Sequence, residues 1–237
     1  MKKIVLTSIC TLAVAGAALA QGNVNWSTIS FTSFTAVTNS TTYSPLLGGG
    51  PAVGGATGGV VGSSGFYFEL LYTGSYNGST NGVAPTTLTA LGTWSDTGLG
   101  ATNTGSAGRI FPEAANNGAT INGMNPGTTN YIELVGWSAN LGTNWSQADS
   151  HLNNSSYLAG LGTQAFFGIS NIGYITPLSS STTPGAAVFG TAATAQGLPI
   201  YSLLTPLYLV PTVTPEPGTM ALAAIGGASL LLFRRRK

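Results

Sequence analysis

Charged residues are scarce in this sequence. They make up 5% of its 237 residues, against roughly 25% in typical globular proteins. Seven of the thirteen lie near the two ends of the chain. The rest of the chain, from Gln21 to Thr214, carries a net charge of −4, because one base faces five acids. The base is Arg109, and the acids are Glu69, Asp96, Glu113, Glu133 and Asp149. A body with a single arginine cannot neutralise phosphates, which argues against nucleic acid and against an anionic membrane surface as partners.

Cysteine and histidine are almost absent. Cys10 is the only cysteine, and it follows Ile9, where a lipoprotein cleavage motif would have a small residue. Without the N-terminal segment the chain has no cysteine, which excludes disulfides and a thiol catalyst. Histidine occurs once, at His151, whereas an ordinary metal site needs a cluster of His, Cys, Asp and Glu. We therefore expect no metal and no cofactor.

Asp149 and His151 are the one pair that could belong to a Ser-His-Asp set. The sequence contains no Gly-x-Ser-x-Gly elbow. Residues two apart in an extended strand share a face without touching. We interpret the two residues as a surface loop pair and expect no catalytic residues and no enzyme activity.

The N-terminus has the parts of a secretory signal peptide. Lys2 and Lys3 precede an apolar stretch, and Ala18-Leu19-Ala20 supplies the small residues of a cleavage site. We predict a signal helix over residues 1–20, cut after Ala20 by signal peptidase, and hence export.

The C-terminus combines a proline-rich triplet, an apolar run and a basic cluster. Gly218 to Phe233 holds no charge and spans about 24 Å as a helix, which is short for a bilayer core of about 30 Å. By the positive-inside rule, the basic cluster holds the C-terminus in the cytoplasm and leaves Glu216 on the far side. Pro215 and Pro217 keep Glu216 extended and accessible to a protease. The basic cluster is Arg234, Arg235, Arg236 and Lys237.

This order of parts resembles the PEP-CTERM sorting domain of bacterial envelope proteins. The resemblance implies that a membrane enzyme, exosortase, recognises Pro215, Glu216 and Pro217 and cuts nearby, in bacteria that make exopolysaccharide. It also implies residence in the inner membrane during processing, followed by delivery to the cell surface or extracellular matrix. An uncut tail anchor that ends in arginines is the alternative. On this basis the chain divides into a signal peptide at 1–20, a body at 21–210 and a sorting tail at 211–237.

The body is rich in Gly, Ser, Thr and Asn, and short β-branched and aromatic runs recur between turn residues. This pattern predicts an all-β domain rather than disorder. We expect long loops over Gly48 to Gly65 and Gly98 to Gly108, and a short helix or turn within Ser146 to Tyr157. The predicted strands are Val24 to Val37, Gly65 to Thr73, Thr87 to Trp94, Ala119 to Asn122, Asn130 to Ser138, Gln164 to Thr176, Ala186 to Gly190 and Ile200 to Val210.

A Pro-Gly-Thr turn at 126–128 precedes Tyr131. It resembles the corner of immunoglobulin-like and fibronectin type III sandwiches, in which a Tyr hydroxyl caps the loop backbone, with one extra residue before the Tyr. The resemblance implies a β-sandwich of immunoglobulin, fibronectin or jelly-roll type, and we expect the Tyr131 hydroxyl to bond a backbone group of the preceding loop.

Glu69 and Glu133 each follow a Tyr by two residues, at Tyr67 and Tyr131. If their strands were neighbours, the two carboxyls could act as the acid and base of a glycoside hydrolase, and the two tyrosines with Trp137 could form a sugar platform. The simpler interpretation, two unrelated glutamates facing solvent, is the one we adopt.

Together these features predict an exported, non-enzymatic envelope or matrix protein. A carbohydrate-binding module or adhesin is the alternative, with polysaccharide as its partner, and a hydrolase is a weaker one. A concave aromatic patch on a sheet face would favour the binding module, and two carboxyls converging in a cleft would favour the hydrolase.

Overall fold

The computed structural model describes residues 21–33, 36–38, 65–81, 83–85, 87–104, 109–161, 165–179, 181–201 and 207–211. The described chain is mostly β, as predicted, with a few short helices. The strands are β1 (Gly22–Trp26), β2 (Ala36–Thr38), β3 (Phe66–Ser75), β4 (Ser95–Asn103), β5 (Ile110–Pro112), β6 (Asn116–Ile121), β7 (Asn130–Ser138), β8 (Phe166–Ile169), β9 (Gly173–Ile175), β10 (Ala186–Ala187), β11 (Phe189–Gly190), β12 (Gly197–Leu198), β13 (Ile200–Tyr201) and β14 (Leu207–Pro211). The helices are α1 (Leu88–Leu91), α2 (Trp145–Leu152) and α3 (Ser155–Leu161), with 3-10 turns at Ser30–Ser33 and Ala139–Leu141.

A nine-stranded sheet organises the described body. Its strand order is β2-β14-β8-β7-β3-β4-β5, and β9 pairs with both β7 and β12. β7 lies at the centre and is antiparallel to β3, β8 and β9. A three-stranded sheet has the order β10-β1-β6, and β11 pairs with β13.

One face of the large sheet packs against the three-stranded sheet. Phe68 and Leu70 of β3 and Ile132 of β7 belong to the same buried cluster as Val24 and Trp26 of β1. Alternate residues of a strand point to opposite faces, so these side chains mark the inner face of the sheet. Trp26 also donates its Nε1–H to the Gly100 carbonyl, 3.1 Å away. The three-stranded sheet is thereby tied to β4.

The other face of the large sheet packs against helices over its β7 and β8 half. Val135 and Trp137 of β7 form a second cluster with Trp145 and Leu152 of α2. The Asn144 side chain caps α2 by accepting from the Gln147 N–H at 3.0 Å. This confirms the predicted helix or turn within Ser146 to Tyr157, although it runs as two helices instead of one.

Most predicted strands occur, and one matches residue for residue. Asn130–Ser138 is β7 as predicted. The predicted strand from Gln164 to Thr176 is interrupted, because the Ser170 side chain bonds the Leu134 N–H between β8 and β9. The predicted strand Val24 to Val37 is likewise split by the 3-10 turn at Ser30–Ser33.

Two local predictions are wrong. Thr87 to Trp94 is not a strand, because the Thr87 hydroxyl accepts from the Ala90 N–H at 3.1 Å and begins α1. The span from Gly98 to Gly108 is not a loop throughout, because β4 runs to Asn103 and pairs with both β3 and β5. The predicted loop from Gly48 to Gly65 lies almost wholly outside the described residues.

Tyr131 caps a loop, but not the loop that precedes it. Its oxygen lies 2.6 Å from both the Asn77 Oδ1 and the Ser79 carbonyl, which share its single proton. It also accepts from the Asn77 N–H at 3.2 Å. The capped segment follows β3, the strand paired with the start of β7. The prediction of a backbone bond is confirmed, and the prediction of its place is wrong.

Candidate functional site

The residues predicted to act in export and sorting lie outside the described residues. These are Ala18 and Ala20 at the signal cleavage site, and Pro215, Glu216, Pro217, Arg234, Arg235 and Arg236 in the tail. None of the described helices has the length and apolar character needed to span a bilayer. The nearest described element is β1, which begins at Gly22, next to the predicted cut.

Glu69 and Glu133 lie on neighbouring strands and on the same sheet face. In the ladder between β3 and β7, Glu69 stands opposite Val135, and Leu71 stands opposite Glu133. Residues one diagonal step apart in such a ladder are about 7–8 Å apart. Both are buried, at 8% and 0% exposure. The interpretation of two unrelated, solvent-facing glutamates is therefore wrong.

Glu133 is sealed inside the body. It is fully buried, and neither carboxyl oxygen has a hydrogen-bond partner. Burial raises the pKa of Glu133 well above its ordinary value, because the charged form is the one that loses most from desolvation. A fully buried carboxyl cannot touch a substrate, so it does not form a catalytic pair with Glu69.

Glu69 instead belongs to a cluster of carboxyls toward the sheet edge. Its pKa is raised to about 9, first by burial and then, in decreasing order, by the charge of Asp96, a hydrogen bond to Asp96 and the charge of Glu113. Asp96 and Glu113 are both exposed. A bulge in β4, where Gly98 has φ +74°, accommodates extra residues between the partners of Glu69 and Leu71. It brings Asp96 next to Glu69.

Gly100 makes room for two of these carboxyls. It pairs with Glu69 in the sheet, and its carbonyl accepts the Glu113 N–H at 3.0 Å. A Cβ at this position would stand 2.9 Å from Glu113 Oε2 and 3.4 Å from Glu69 Oε2. The absent side chain is therefore what allows both carboxyl groups to lie over β4.

Aromatic residues form a row across the sheet beside this cluster. Trp137 pairs with Tyr67, Tyr67 with Thr102, and Thr102 with Phe111. Directly opposed residues share a face, and neighbouring strands lie about 4.8 Å apart. Tyr67 stacks on Trp137 with a centroid distance of 6.4 Å. Phe111, on the edge strand β5, is 45% exposed.

We call this surface the edge face, defined by Tyr67, Glu69, Asp96, Gly100, Thr102, Phe111 and Glu113. It is an aromatic row beside a carboxyl row. Trp137 is fully buried and Tyr131 is 4% exposed, so two of the three residues of the alternative sugar platform, Tyr67, Tyr131 and Trp137, are inaccessible. Phe111 is the accessible aromatic residue of the edge face.

A groove adjoins the edge face at β5. It has a volume of about 350 Å³ and lies between the Ser30–Ser33 turn and the edge strand. Arg109 donates from Nη1 to the Thr32 carbonyl at 3.2 Å. Phe31 and Ile110, both buried, form the apolar base of the groove. The lining residues are Thr28, Phe31, Thr32, Thr104, Arg109, Ile110 and Phe111.

His151 and Asp149 do not form a catalytic pair. Both lie in α2, not in a loop as predicted. His151 Nδ1 lies 2.9 Å from the Leu141 carbonyl, and its ring stacks on Tyr157 at 3.8 Å. The Asp149 carboxylate accepts instead from Asn153 at 3.0 Å. Among the described residues, no group of three or more His, Cys, Asp and Glu side chains is arranged to hold a metal ion.

The C-terminal segment identifies how the protein is handled in the cell. Residues 213–237 match the family model described as the PEP-CTERM protein-sorting motif. The chain is thus an exported, membrane-transiting protein that carries an exosortase sorting signal, and the resemblance of its tail is confirmed. No curated protein and no solved structure matches the chain.

The sequence alone did not reveal the edge face as a unit. It singled out Tyr67 and Glu69 but left out Asp96, Gly100, Phe111 and Glu113. One signal was available: Arg109, Phe111 and Glu113 alternate with apolar residues at the period of a strand. The segment is short and follows a polar span that was predicted as a loop, and no strand was predicted there.

Proposed function

We propose that the protein is an exported, non-catalytic component of the cell envelope or extracellular matrix, delivered through its sorting tail, whose body contacts polysaccharide through the edge face. On this proposal the body is a β-sandwich of immunoglobulin-like or jelly-roll type. The packing of the small sheet on the inner face of the large one supports that architecture.

The aromatic row beside the carboxyls is the observation that carries the proposal. The apolar face of a sugar ring packs on an exposed aromatic ring, and its hydroxyl groups need hydrogen-bond partners when water is removed. Phe111 offers the ring, and Glu113 and Asp96 offer acceptor oxygens on the same face. The body has few charges with which to bind anything by electrostatics alone.

The experiment compares Phe111→Ala with Ile29→Ala in the exported protein. Both remove an exposed apolar side chain, at 45% and 78% exposure, but Ile29 lies outside the edge face. The probe is methyl-esterified polygalacturonate, a soluble uncharged polysaccharide, and the readout is affinity electrophoresis or calorimetry. We expect Phe111→Ala to weaken binding about tenfold, as for a central aromatic contact, and Ile29→Ala to leave it unchanged. Equal effects of the two variants would contradict the proposal.

A glycoside hydrolase is the second candidate, because one observation favours it. Glu69, with its pKa raised to about 9, could donate a proton, and Glu113 lies beside it over Gly100. A protonated acid close to a second carboxyl is the arrangement such enzymes use. Incubation of the exported protein with polysaccharide tests it. Release of reducing ends that is lost in Glu69→Gln would replace the non-catalytic proposal with this one.

A further inference from the structure

The groove beside the edge face contains the only base of the body. Arg109 is exposed, and its Nη1 donates to the Thr32 carbonyl. In the described part of the chain, no carboxylate pairs with its guanidinium. Since the body from Gln21 to Thr214 has five acids and one base, an anionic ligand would be repelled from most of its surface. Arg109 is the one basic side chain of the body that would attract such a ligand.

The surroundings of Arg109 fit a small polar ligand. The groove volume of about 350 Å³ lies at the lower end of the range for ligand pockets, roughly 300–1,000 Å³. Phe111 belongs both to the groove and to the edge face, so one ring can contact a ligand on either side. Thr28 and Thr32 are exposed and add hydroxyl groups to the lining.

Arg109 and Glu113 flank the edge strand β5 on either side, two residues from Phe111 in each direction, and their backbone bonds to Thr104 and Gly100 continue its pairing with β4. Residues two apart in a strand are about 6.6 Å apart on the same side. The three residues therefore present a cation, an aromatic ring and a carboxyl group in that order. A sugar with a carboxylate at one end and hydroxyl groups at the other would match this order. A guanidinium is well suited to the carboxylate because it donates two parallel hydrogen bonds.

We infer that the Arg109 groove binds a carboxylate-bearing sugar, a uronic acid residue of a polysaccharide, with the carboxylate on Arg109 and the ring on Phe111. This inference rests on the proposed function and names the chemical class of its ligand. A phospholipid headgroup is the other anionic ligand that Arg109 could contact. Surfaces that bind anionic lipid carry a cluster of basic residues, whereas this body has one base with an aromatic ring beside it in the groove, which is why the sugar acid is the assignment.

The test compares two forms of one polymer, polygalacturonate and its methyl ester, in which a methyl group replaces the charge of each carboxylate. We expect the exported protein to bind the free acid about tenfold more tightly than the ester at low salt, a preference that weakens as salt is added. Arg109→Gln should abolish this preference, so that both polymers bind equally. An unfolding midpoint equal to that of the wild type shows that the variant is folded. Arg109→Lys should restore only part of the preference, because an ammonium lacks the planar fork.

Other results overturn the inference without touching the proposed function. If the protein binds both polymers equally, or if Arg109→Gln keeps the preference for the free acid, the groove does not recognise the carboxylate. A loss of ester binding in Phe111→Ala would still support polysaccharide binding at the edge face. Binding to phosphatidylglycerol vesicles that is lost in Arg109→Gln, without any preference for the free acid, would assign the groove to a lipid surface instead.

Discussion

At the scale of single residues, two buried glutamates on one sheet face have different environments. Glu69 lies among other carboxyls toward the open edge of the sheet, and Glu133 lies under the helices without a polar partner. Burial is the main cause of the raised pKa of both residues, and for Glu69 the neighbouring Asp96 and Glu113 add to it. Only Glu69 is placed near groups that could meet a ligand. Glu133 is therefore expected to affect the stability of the body and not the binding of a ligand.

Replacing Glu133 with leucine should stabilise the body. The side chain is fully buried with two unpartnered oxygens, and burial of an unpaired polar group costs about 1–3 kcal/mol. We expect Glu133→Leu to raise the free energy of unfolding by about this amount in urea titrations at neutral pH. Glu133→Gln, which cannot ionise but stays polar, should give a smaller gain. A clear loss of stability in Glu133→Leu would mean that the carboxyl has a partner in solution.

Removing the Tyr131 hydroxyl should loosen the loop after β3. Its bonds to Asn77 and Ser79 each contribute about 0.5–1.5 kcal/mol. We expect Tyr131→Phe to lower the unfolding midpoint and to speed amide exchange at Asn77, whose N–H donates to the hydroxyl. If the Asn77 amide exchanged at the same rate in both proteins, the hydroxyl would not be the cap of this loop.

At the scale of elements, the sequence correctly predicted those strands whose local residue pattern is enough to specify them. β7 and β3 are dense in aromatic and β-branched residues, and both were predicted. β4 has the sequence SDTGLGATN, whose Asp and two glycines disfavour a strand locally, and its place is decided by pairing with β3 and β5. α1 was predicted as a strand because Leu and Thr fit both states, and the Thr87 cap decided the outcome.

The same limits apply to the candidate site. The alternation of side chains along a strand shows which residues share a face. On this basis Tyr67 and Glu69 were predicted to lie on the same face. Which strands are neighbours depends on contacts between residues far apart in sequence, such as Phe111 and Thr102 or Tyr67 and Trp137. No local pattern specifies those pairs. The edge face could therefore be recognised only after the register was known.

The cap of α2 offers a test of one element. The Asn144 side chain accepts from the Gln147 N–H, and loss of such a cap costs about 0.5–2 kcal/mol. We expect Asn144→Ala to lower the unfolding free energy by this amount. Asn144→Asp should keep most of it, because its carboxylate also accepts. A neutral effect of Asn144→Ala would show that packing of Trp145 and Leu152 alone fixes the helix.

At the scale of the whole molecule, the raised carboxyl pKa values make stability depend on pH. Glu69, Glu133 and Asp149 all have raised pKa values in the folded protein, so the unfolded chain loses these protons first. The stability they provide is full below the ordinary Glu pKa of 4.5 and falls as pH rises toward the folded value of about 9 for Glu69.

We therefore expect the urea midpoint to fall between about pH 5 and about pH 9. The double variant Glu69→Gln, Glu133→Leu should flatten this dependence, since the two most perturbed groups are gone. A midpoint that rises over this range in the wild type would contradict the assignment of protonated glutamates inside the body.

The whole chain combines a weakly charged β body with a segment at residues 213–237 that matches the PEP-CTERM protein-sorting motif. Its tail carries most of its positive charge, and the body has little. In the proposed account the tail is an address that processing removes. Glu216 is the one ionisable group of the Pro-Glu-Pro triplet, so Glu216→Ala is expected to leave the protein uncut in the inner membrane.

Intact-mass measurement of the protein recovered outside the cell shows whether the tail is removed. The uncut chain has a mass of 23.9 kDa. We expect a smaller species that begins at Gln21 and lacks Arg234 to Lys237, and accumulation of a membrane-bound form with the tail intact in Glu216→Ala. Recovery of exported protein that still carries Arg234 to Lys237 would contradict this expectation, because the tail would then be a permanent anchor or an inert extension and not a sorting signal.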